Sequence, residues 1–326
     1  TFKLTDQLTG RMMGISADVT PQVARMDAHS LKRQGPVRLC YCTNVLRATA
    51  DQHQGGRSPV QVGVELFGHA GLEADLEILH LALASLAAAG AREIHLALGH
   101  IGIYRSLVQA AALDDDRERA LFEALELKSP GELAARVADS VTDPALAGMF
   151  MALGRLHGGV EVLDEAREAF AEAPAAVGAA LDQLRALHQG VMAAHPEVEP
   201  YFDLAELRGY AYHTGMMFAA YVPGYGQALA KGGRYDDTGR AFGRARPATG
   251  FSMDLKQLAT LALAEPPRVG IWAPAQGEGL REAVLVLREQ GERVVQGLPG
   301  QRTGPAEHRC DRQLVLADGH WQVVAL

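Results

Sequence analysis

The 326-residue sequence predicts an α+β protein: an antiparallel sheet flanked by helices, interrupted by a helical insertion and followed by a small C-terminal α/β module. Three observations carry this expectation. Strand-like runs rich in Val, Phe, Tyr and Cys fall in two blocks, near the start and around residues 198–231. Between them lies an Ala- and Leu-rich stretch punctuated like a series of short helices. Pro266-Pro267 then marks a boundary, because the residue before a proline is pushed out of the helical region. We therefore expect residues 1–101 and 197–265 to build the sheet domain, 102–196 the helical insertion, and 268–326 the tail module.

In chain order, Phe2 to Leu4 and Arg11 to Ser16 flank a turn at Thr9-Gly10 and read as a hairpin. A helix follows, with Thr20 as N-cap, Pro21 at its first position, apolar Val23, Met26, Ala28 and Leu31 along it, and Gly35 at its end. Val37 to Ala48 and Val60 to Phe67 are strands around a polar loop. Leu72, Leu76, Leu79, Leu83 and Leu86 step by four and three, the spacing of a helix with one buried stripe, and Gly90 stops it. Arg92 to Leu98 reads as a strand. The punctuation at Ser129-Pro130, Asp143-Pro144, Gly158-Gly159 and Pro174 divides 102–196 into four to six short helices. Strand pattern returns over Val198 to Tyr212, Met216 to Val222 and Gln227 to Lys231, with a turn at Pro223-Gly224, and Phe251 to Ala264 reads as a closing helix. In the tail, Val269 to Trp272, Arg293 to Gln296, Gln313 to Leu316 and Trp321 to Leu326 are strands, with a helix over Leu280 to Gln290.

Composition bounds the function. A formal net charge of −8, from 31 Lys plus Arg against 39 Asp plus Glu, repels nucleic-acid phosphates, and no basic run offsets it. Three cysteines are too few for a disulfide framework, and Cys40-Tyr41-Cys42 lacks the CxxC spacing of zinc or redox sites. Cys40 and Cys42 share one face of their strand and read as buried free thiols in a reducing cytoplasm, with no metal. No window approaches a membrane span, and no basic patch precedes an apolar core at the N-terminus. Since the chain opens at Thr1, inside a hairpin pattern and without Met, an upstream segment is expected.

Two distant segments read as the walls of one amino-acid pocket: Asp18 to Arg25 and Glu206 to Gly215. An α-amino acid needs an acceptor for its ammonium and a donor for its carboxylate, since burying either unpaired costs about 1–3 kcal/mol. Asp18 and Thr20, at the mouth of a helix, can accept from an ammonium, though the same pair can simply cap the helix. Arg57 or Arg208 can fork onto a carboxylate or a phosphate, unless Arg208 is a structural ion-pair partner. Gln61 and Glu65, four apart on a strand, point to one side, toward a ligand or toward solvent. Gly232-Gly233 permits close backbone approach, to a ligand or as a plain bulge.

Four stretches then identify a resemblance: Ala17-Asp-Val-Thr-Pro-Gln-Val-Ala-Arg25, Gly63-Val-Glu-Leu-Phe-Gly-His-Ala-Gly-Leu-Glu-Ala-Asp75, Glu206-Leu-Arg-Gly-Tyr-Ala-Tyr-His-Thr-Gly215 and Lys231-Gly-Gly-Arg-Tyr-Asp236. In this order, over residues 1–265, they resemble the catalytic core of class II aminoacyl-tRNA synthetases, histidyl-tRNA synthetase in particular. The closer likeness is to its non-synthetase paralogue, the regulatory subunit of short-form ATP phosphoribosyltransferase. The resemblance implies a class II synthetase-like sheet and a histidine pocket lined by Asp18, Thr20, Arg57, Gln61, Glu65, Arg208 and Tyr212, with Lys231 to Asp236 alongside.

Departures from the synthetase pattern decide between the two. Arg47 stands where the family binds phosphate, but the glutamate expected two residues later is Thr49, and the ATP-binding arginine of the third motif is Gln257. The adjacent Lys256 points about 100° away on a helix. Loss of a fixed charge there weakens transition-state stabilisation by several kcal/mol unless another cation compensates. Tyr210-Ala211-Tyr212-His213 replaces the synthetase's Leu-Asp-Tyr-Tyr, and the tail carries seven Arg against seven acidic residues, without the basic footprint of an RNA-binding domain. The resemblance thus implies a regulatory subunit with no catalytic residues or cofactor of its own. It is expected to form a homodimer within a hetero-oligomer with the short catalytic subunit, and to take histidine as effector. An active histidyl-tRNA synthetase and a free-standing amino-acid-binding protein are the alternatives.

Overall fold

The computed structural model describes residues 1–49, 56–207, 209–210, 212–261 and 269–326. The chain divides into two units, Thr1–Ala262 and Leu263–Leu326.

In the first unit, β1 (Lys3–Thr5) and β2 (Met12–Gly14) pair as the expected hairpin. Helix α1 (Thr20–Met26) carries proline at its start and continues into a π-helical turn over Asp27–Leu31, which Lys32 ends in the left-handed region. Val19, Val23 and Ala24 pack with Val37, Val45, Phe67 and Tyr235 in a small core of their own. Next come β3 (Val37–Asn44), β4 (Val60–Phe67), α2 (Leu72–Ala88) and β5 (His95–His100). The apolar stripe of α2 is buried at Ile78, Leu79, Leu83 and Leu86, and Gly90 takes the positive φ of 94° that ends it.

Residues 101–194 form α3 (Ile101–Ala110), α4 (Asp115–Glu126), α5 (Pro130–Ser140), α6 (Pro144–Leu153), a two-residue strand β6 (His157–Gly158), α7 (Val162–Ala169) and α8 (Ala175–Ala194). The proline punctuation falls at the first helical positions of α5 and α6, and the Asp143 side chain accepts from Ala145 N to cap the latter. Helix α8, at 20 residues, is longer than the short helices expected. Leu181, Leu184, Leu187 and Val191 bury its face in the main core.

The sheet closes with β7 (Pro200–Asp203), β8 (Met216–Tyr221), β9 (Ala230–Arg234) and β10 (Ala248–Asp254), followed by the short α9 (Leu255–Leu258). Among the described residues the sheet has eight strands in the order β3-β4-β10-β9-β8-β5-β7-β6, antiparallel throughout except for β5 and β7. Three expectations are corrected. The helix expected over Phe251 to Ala264 is strand up to Asp254, because β10 pairs on both sides, with β4 and with β9. The strand expected over Val198 to Tyr212 ends at Asp203, and Gly209 (φ 83°) turns the chain, its carbonyl accepting from the Tyr212 and His213 amides. Cys40 and Cys42 are exposed rather than buried, since β3 is the terminal strand of the sheet.

A buried polar chain ties the helices to the sheet. Asp75 on α2, fully buried, forms an ion pair with Arg234 on β9 at 2.9 Å, and Arg234 also donates to the carbonyls of His69 and Gly71. Gln183 on α8 donates to Asp75 (2.9 Å) and shares a hydrogen bond with His100 (3.0 Å), whose other ring nitrogen accepts from Gly102 N.

In the second unit, β11 (Gly270–Ala273), α10 (Leu280–Glu289), β12 (Val294–Gln296), β13 (Cys310–Ala317) and β14 (His320–Ala325) form a four-stranded sheet in the order β12-β11-β13-β14. Its core is Ile271, Ala273, Leu280, Val284, Val294 and Leu314. No helix among the described residues is long and apolar enough to cross a membrane.

Candidate functional site

Register places the candidate residues on one face of the sheet. Glu65 on β4 lies opposite Gly250 on β10, and Gly250 opposite Gly233 on β9; two residues along, Gly63 faces Ser252 and Ser252 faces Lys231. Side chains two apart on a strand share a face, so Gln61, Glu65, Ser252 and Lys231 rise from the same surface. Two glycines make room there. A Cβ at Gly63 would lie 2.4 Å from the Tyr41 hydroxyl, and one at Gly250 would lie 1.8 Å from a Glu65 carboxylate oxygen.

On this surface opens a chamber of about 180 Å³ lined by Asp18, Thr20, Glu65, Tyr212, His213 and Lys231, with Tyr235, Phe251 and Ser252 completing the wall. Glu65, only 1% exposed, is its centre. Its carboxyl accepts from the hydroxyls of Thr20 (2.8 Å), Tyr41 (3.3 Å) and Tyr235. Burial pushes it up to about 8, well above the usual carboxylate range. Asp18 accepts from Gln61 Nε2 at 2.8 Å, while Gln61 Oε1 accepts from Val19 N at 3.2 Å and so pins the start of α1 to β4. Thr20 is not the N-cap that its position suggests. Val19 takes that place, and the Thr20 hydroxyl is committed to Glu65 instead.

The opposite wall is aromatic. Tyr212 stacks on Tyr235 with centroids 4.9 Å apart, and His213 meets Tyr212 edge-on at 5.2 Å. The Tyr212 hydroxyl is buried without a hydrogen-bond partner among the described residues, and burial raises its pKa, as it does those of Tyr41 and Tyr235. A buried hydroxyl left unpaired costs about 1–3 kcal/mol. Burial pulls His213 down to about 4, leaving the imidazole neutral.

Of the residues expected at the pocket, Asp18, Thr20, Glu65 and Tyr212 therefore line one chamber, and Gln61 lies in the wall beside it. Arg57 does not reach it. Its guanidinium donates to the carbonyls of Arg47 (3.1 Å) and Ala48 (2.8 Å) and lies over the Phe2 ring, so it braces the loop instead of facing a ligand. Arg208 lies outside the described residues. Tyr41 is a supporting residue that the sequence reading does not name, while Lys231, His213 and Tyr235 belong to stretches it places at the pocket without assigning them a role. Tyr41 was readable from strand parity with Gly63, and the other three sit inside stretches already singled out.

Next to the chamber is a small cavity of about 60 Å³ lined by Arg47, Gln61, Lys231, Ser252, Asp254 and Gln257. It is the place where the synthetase pattern would grip phosphates. Gln257 offers no charge, and the Lys256 ammonium is turned onto the Ser58 carbonyl.

A largely antiparallel sheet carrying a chamber lined by Asp18, Thr20 and Glu65 is the arrangement of the class II aminoacyl-tRNA synthetase fold. A family model described as histidyl-tRNA synthetase matches residues 1–258, and one described as the ATP phosphoribosyltransferase subunit HisZ C-terminal domain matches residues 267–324. The ATP phosphoribosyltransferase regulatory subunit of Chromohalobacter salexigens is 70% identical over 327 residues, covering 100% of this chain and 83% of its own. Among solved structures, an ATP phosphoribosyltransferase regulatory subunit/histidyl-tRNA synthetase from Bacillus halodurans superposes with TM-score 0.80 at 30% identity, over 94% of this chain and 80% of that one. The ATP phosphoribosyl transferase (HisG:HisZ) complex from Thermotoga maritima shares the fold, with TM-score 0.61 at 18% identity over 78% of this chain and 85% of that one. The chain belongs to the family of ATP phosphoribosyltransferase regulatory subunits, built on the histidyl-tRNA synthetase framework.

Proposed function

We propose that the chain binds histidine in the chamber of Asp18, Thr20, Glu65 and Tyr212, and that as a regulatory subunit it conveys feedback inhibition to a short-form catalytic ATP phosphoribosyltransferase subunit. The observation that carries this reading is the buried Glu65 with its three hydroxyl partners, lining one chamber with Asp18, Thr20 and Tyr212. Asp18 accepts the ligand's ammonium, Glu65 meets its side chain's N–H, and the unpaired Tyr212 hydroxyl finds a partner. On this reading the protein acts in the cytoplasm, as a homodimer within a hetero-oligomer with the short catalytic subunit.

Regulation follows if histidine binds one quaternary state better than another, since a ligand indifferent to both shifts nothing. A coupling of about 1–3 kcal/mol, roughly 5- to 150-fold, is enough. The test is reconstitution: phosphoribosyl transfer from a short catalytic subunit is measured alone, with this chain, and with this chain plus histidine. Activity should rise on adding the chain and fall with histidine. Catalytic activity indifferent to the chain would defeat the regulatory reading, and activation insensitive to histidine would defeat the feedback role.

A further inference from the structure

We propose that Tyr210 couples the chamber to the helical insertion: α3 and α4 hold its ring and hydroxyl, and through it they set the position of the wall formed by Tyr212 and His213. The inference rests on the histidine reading of the chamber and adds to it the part of the fold that responds when the chamber fills.

Tyr210 stands where the synthetase pattern has leucine. Leucine would supply apolar surface alone, whereas tyrosine adds a polar tip that needs a partner when it is taken out of water. Here the hydroxyl donates to the Glu118 carboxyl on α4, a bond that spans 92 residues of sequence. The Tyr210 carbonyl accepts from the Arg105 guanidinium on α3 at 2.5 Å, and the same guanidinium lies 5.0 Å from the centre of the Tyr210 ring. Tyr104 meets that ring edge-on at 5.4 Å, and Phe122 leans on it, also at 5.4 Å. Tyr104 is itself fully buried and donates to the Glu118 carbonyl at 2.9 Å, so α3, α4 and Tyr210 form one bonded cluster.

The chamber wall begins in the same turn. The Gly209 carbonyl accepts from the Tyr212 and His213 amides, so the turn that seats Tyr210 also places the two rings that line the chamber. Further on, Thr214 N donates to the Arg234 carbonyl on β9, and Ile101 N at the start of α3 donates to the Gly215 carbonyl. Helix α3 therefore holds this stretch at two points, Tyr210 and Gly215, and the wall lies between them. A ligand that shifts Tyr212 or His213 changes the contacts on α3 and α4, and any difference in those contacts between the empty and filled chamber is a coupling between ligand and insertion. Plain packing is the alternative, since Tyr210 also lies against the main core. The two differ in what they affect: packing alone acts on the stability of the chain, whereas coupling acts on its affinity for histidine.

Calorimetry with histidine and urea melts without it, on the full-length wild type and on Tyr210→Phe, Glu118→Ala and Glu118→Gln, separate them. Tyr210→Phe and Glu118→Ala each remove the bond between hydroxyl and carboxyl and should weaken histidine by about fivefold or more, the lower end of useful couplings. Glu118→Gln keeps an acceptor for the hydroxyl and should stay within about twofold of the wild type. Amide hydrogen exchange reads the coupling in the wild type itself: histidine should slow exchange over α4 (Asp115–Glu126), and Tyr210→Phe should abolish that change. Histidine affinity unchanged in both Tyr210→Phe and Glu118→Ala, with only their melts lowered, would overturn the coupling and leave the histidine reading intact. So would exchange over α4 that ignores histidine in the wild type. A wild type that binds no histidine would overturn both.

Discussion

Glu65→Ala is expected to weaken histidine binding at least 100-fold while changing stability little. The carboxyl is the acceptor for Thr20, Tyr41 and Tyr235 and lines the chamber where the ligand's N–H is proposed to bind. Removing it strands three hydroxyls, at about 1–3 kcal/mol for any that water does not reach. An opposing effect comes from ionisation. Below the ordinary carboxylate range Glu65 is protonated in both folded and unfolded chains, and pH has no hold on it. Above that range the unfolded chain releases the proton while the folded chain keeps it up to about pH 8, so the wild type loses stability as pH rises, by at most about 1.4 kcal/mol per pH unit, and the loss levels off beyond pH 8. Alanine removes that loss and offsets the stranded hydroxyls near neutral pH. Glu65→Gln isolates the ionisation: urea melts between pH 5 and 8 should slope downward for the wild type and run flatter for the glutamine variant. Unchanged histidine affinity in Glu65→Ala would move the site elsewhere.

Arg234→Met is expected to destabilise the fold by about 3–5 kcal/mol, the largest stability effect of any single substitution considered. Arg234 is 5% exposed and Asp75 is fully buried, so the methionine leaves a carboxylate without its counter-charge and frees the carbonyls of His69 and Gly71. Burial already pushes Asp75 upward against the pull of Arg234, so the orphaned carboxyl takes up a proton instead of staying charged. The double variant Asp75→Leu with Arg234→Met should recover much of the loss, because replacing a whole buried pair by apolar groups is frequently neutral. A urea-melt double-mutant cycle measures this, and a coupling below about 1 kcal/mol would show the pair to be incidental. Since Tyr235, next in sequence, donates to Glu65, the single variant should also weaken the ligand.

These two sites differ in how far the sequence disclosed them. Gln61 and Glu65 were legible because strand parity is strict: four residues apart means one face, and the register confirms it. The Asp75–Arg234 pair joins residues 159 apart, and nothing local in either segment announces it. Helix boundaries set by proline were read closely at Pro130 and Pro144. Phe251 to Ala264 misled because a short apolar run reads equally as helix or buried strand, and only pairing with neighbours on both sides decides it. Thr20 illustrates the same limit in the site. Its type and position suit a cap, but the hydroxyl finds a stronger partner 45 residues away. Arg57 shows how widely a guanidinium can reach: here it donates to the carbonyls of Arg47 and Ala48, a choice that no local pattern contains. The exposure of the two strand cysteines depended on which strand ends the sheet, a fact of topology that no local pattern contains.

A synthetase framework with Gln257 in place of the ATP-binding arginine is expected to bind histidine without activating it. Histidine-dependent exchange of pyrophosphate into ATP, run on the same preparation whose histidine affinity is measured by calorimetry, tests it most directly. Histidine should bind saturably, with exchange no faster than in protein-free controls. Exchange that appears with histidine and magnesium, and grows with the amount of this protein, would contradict it.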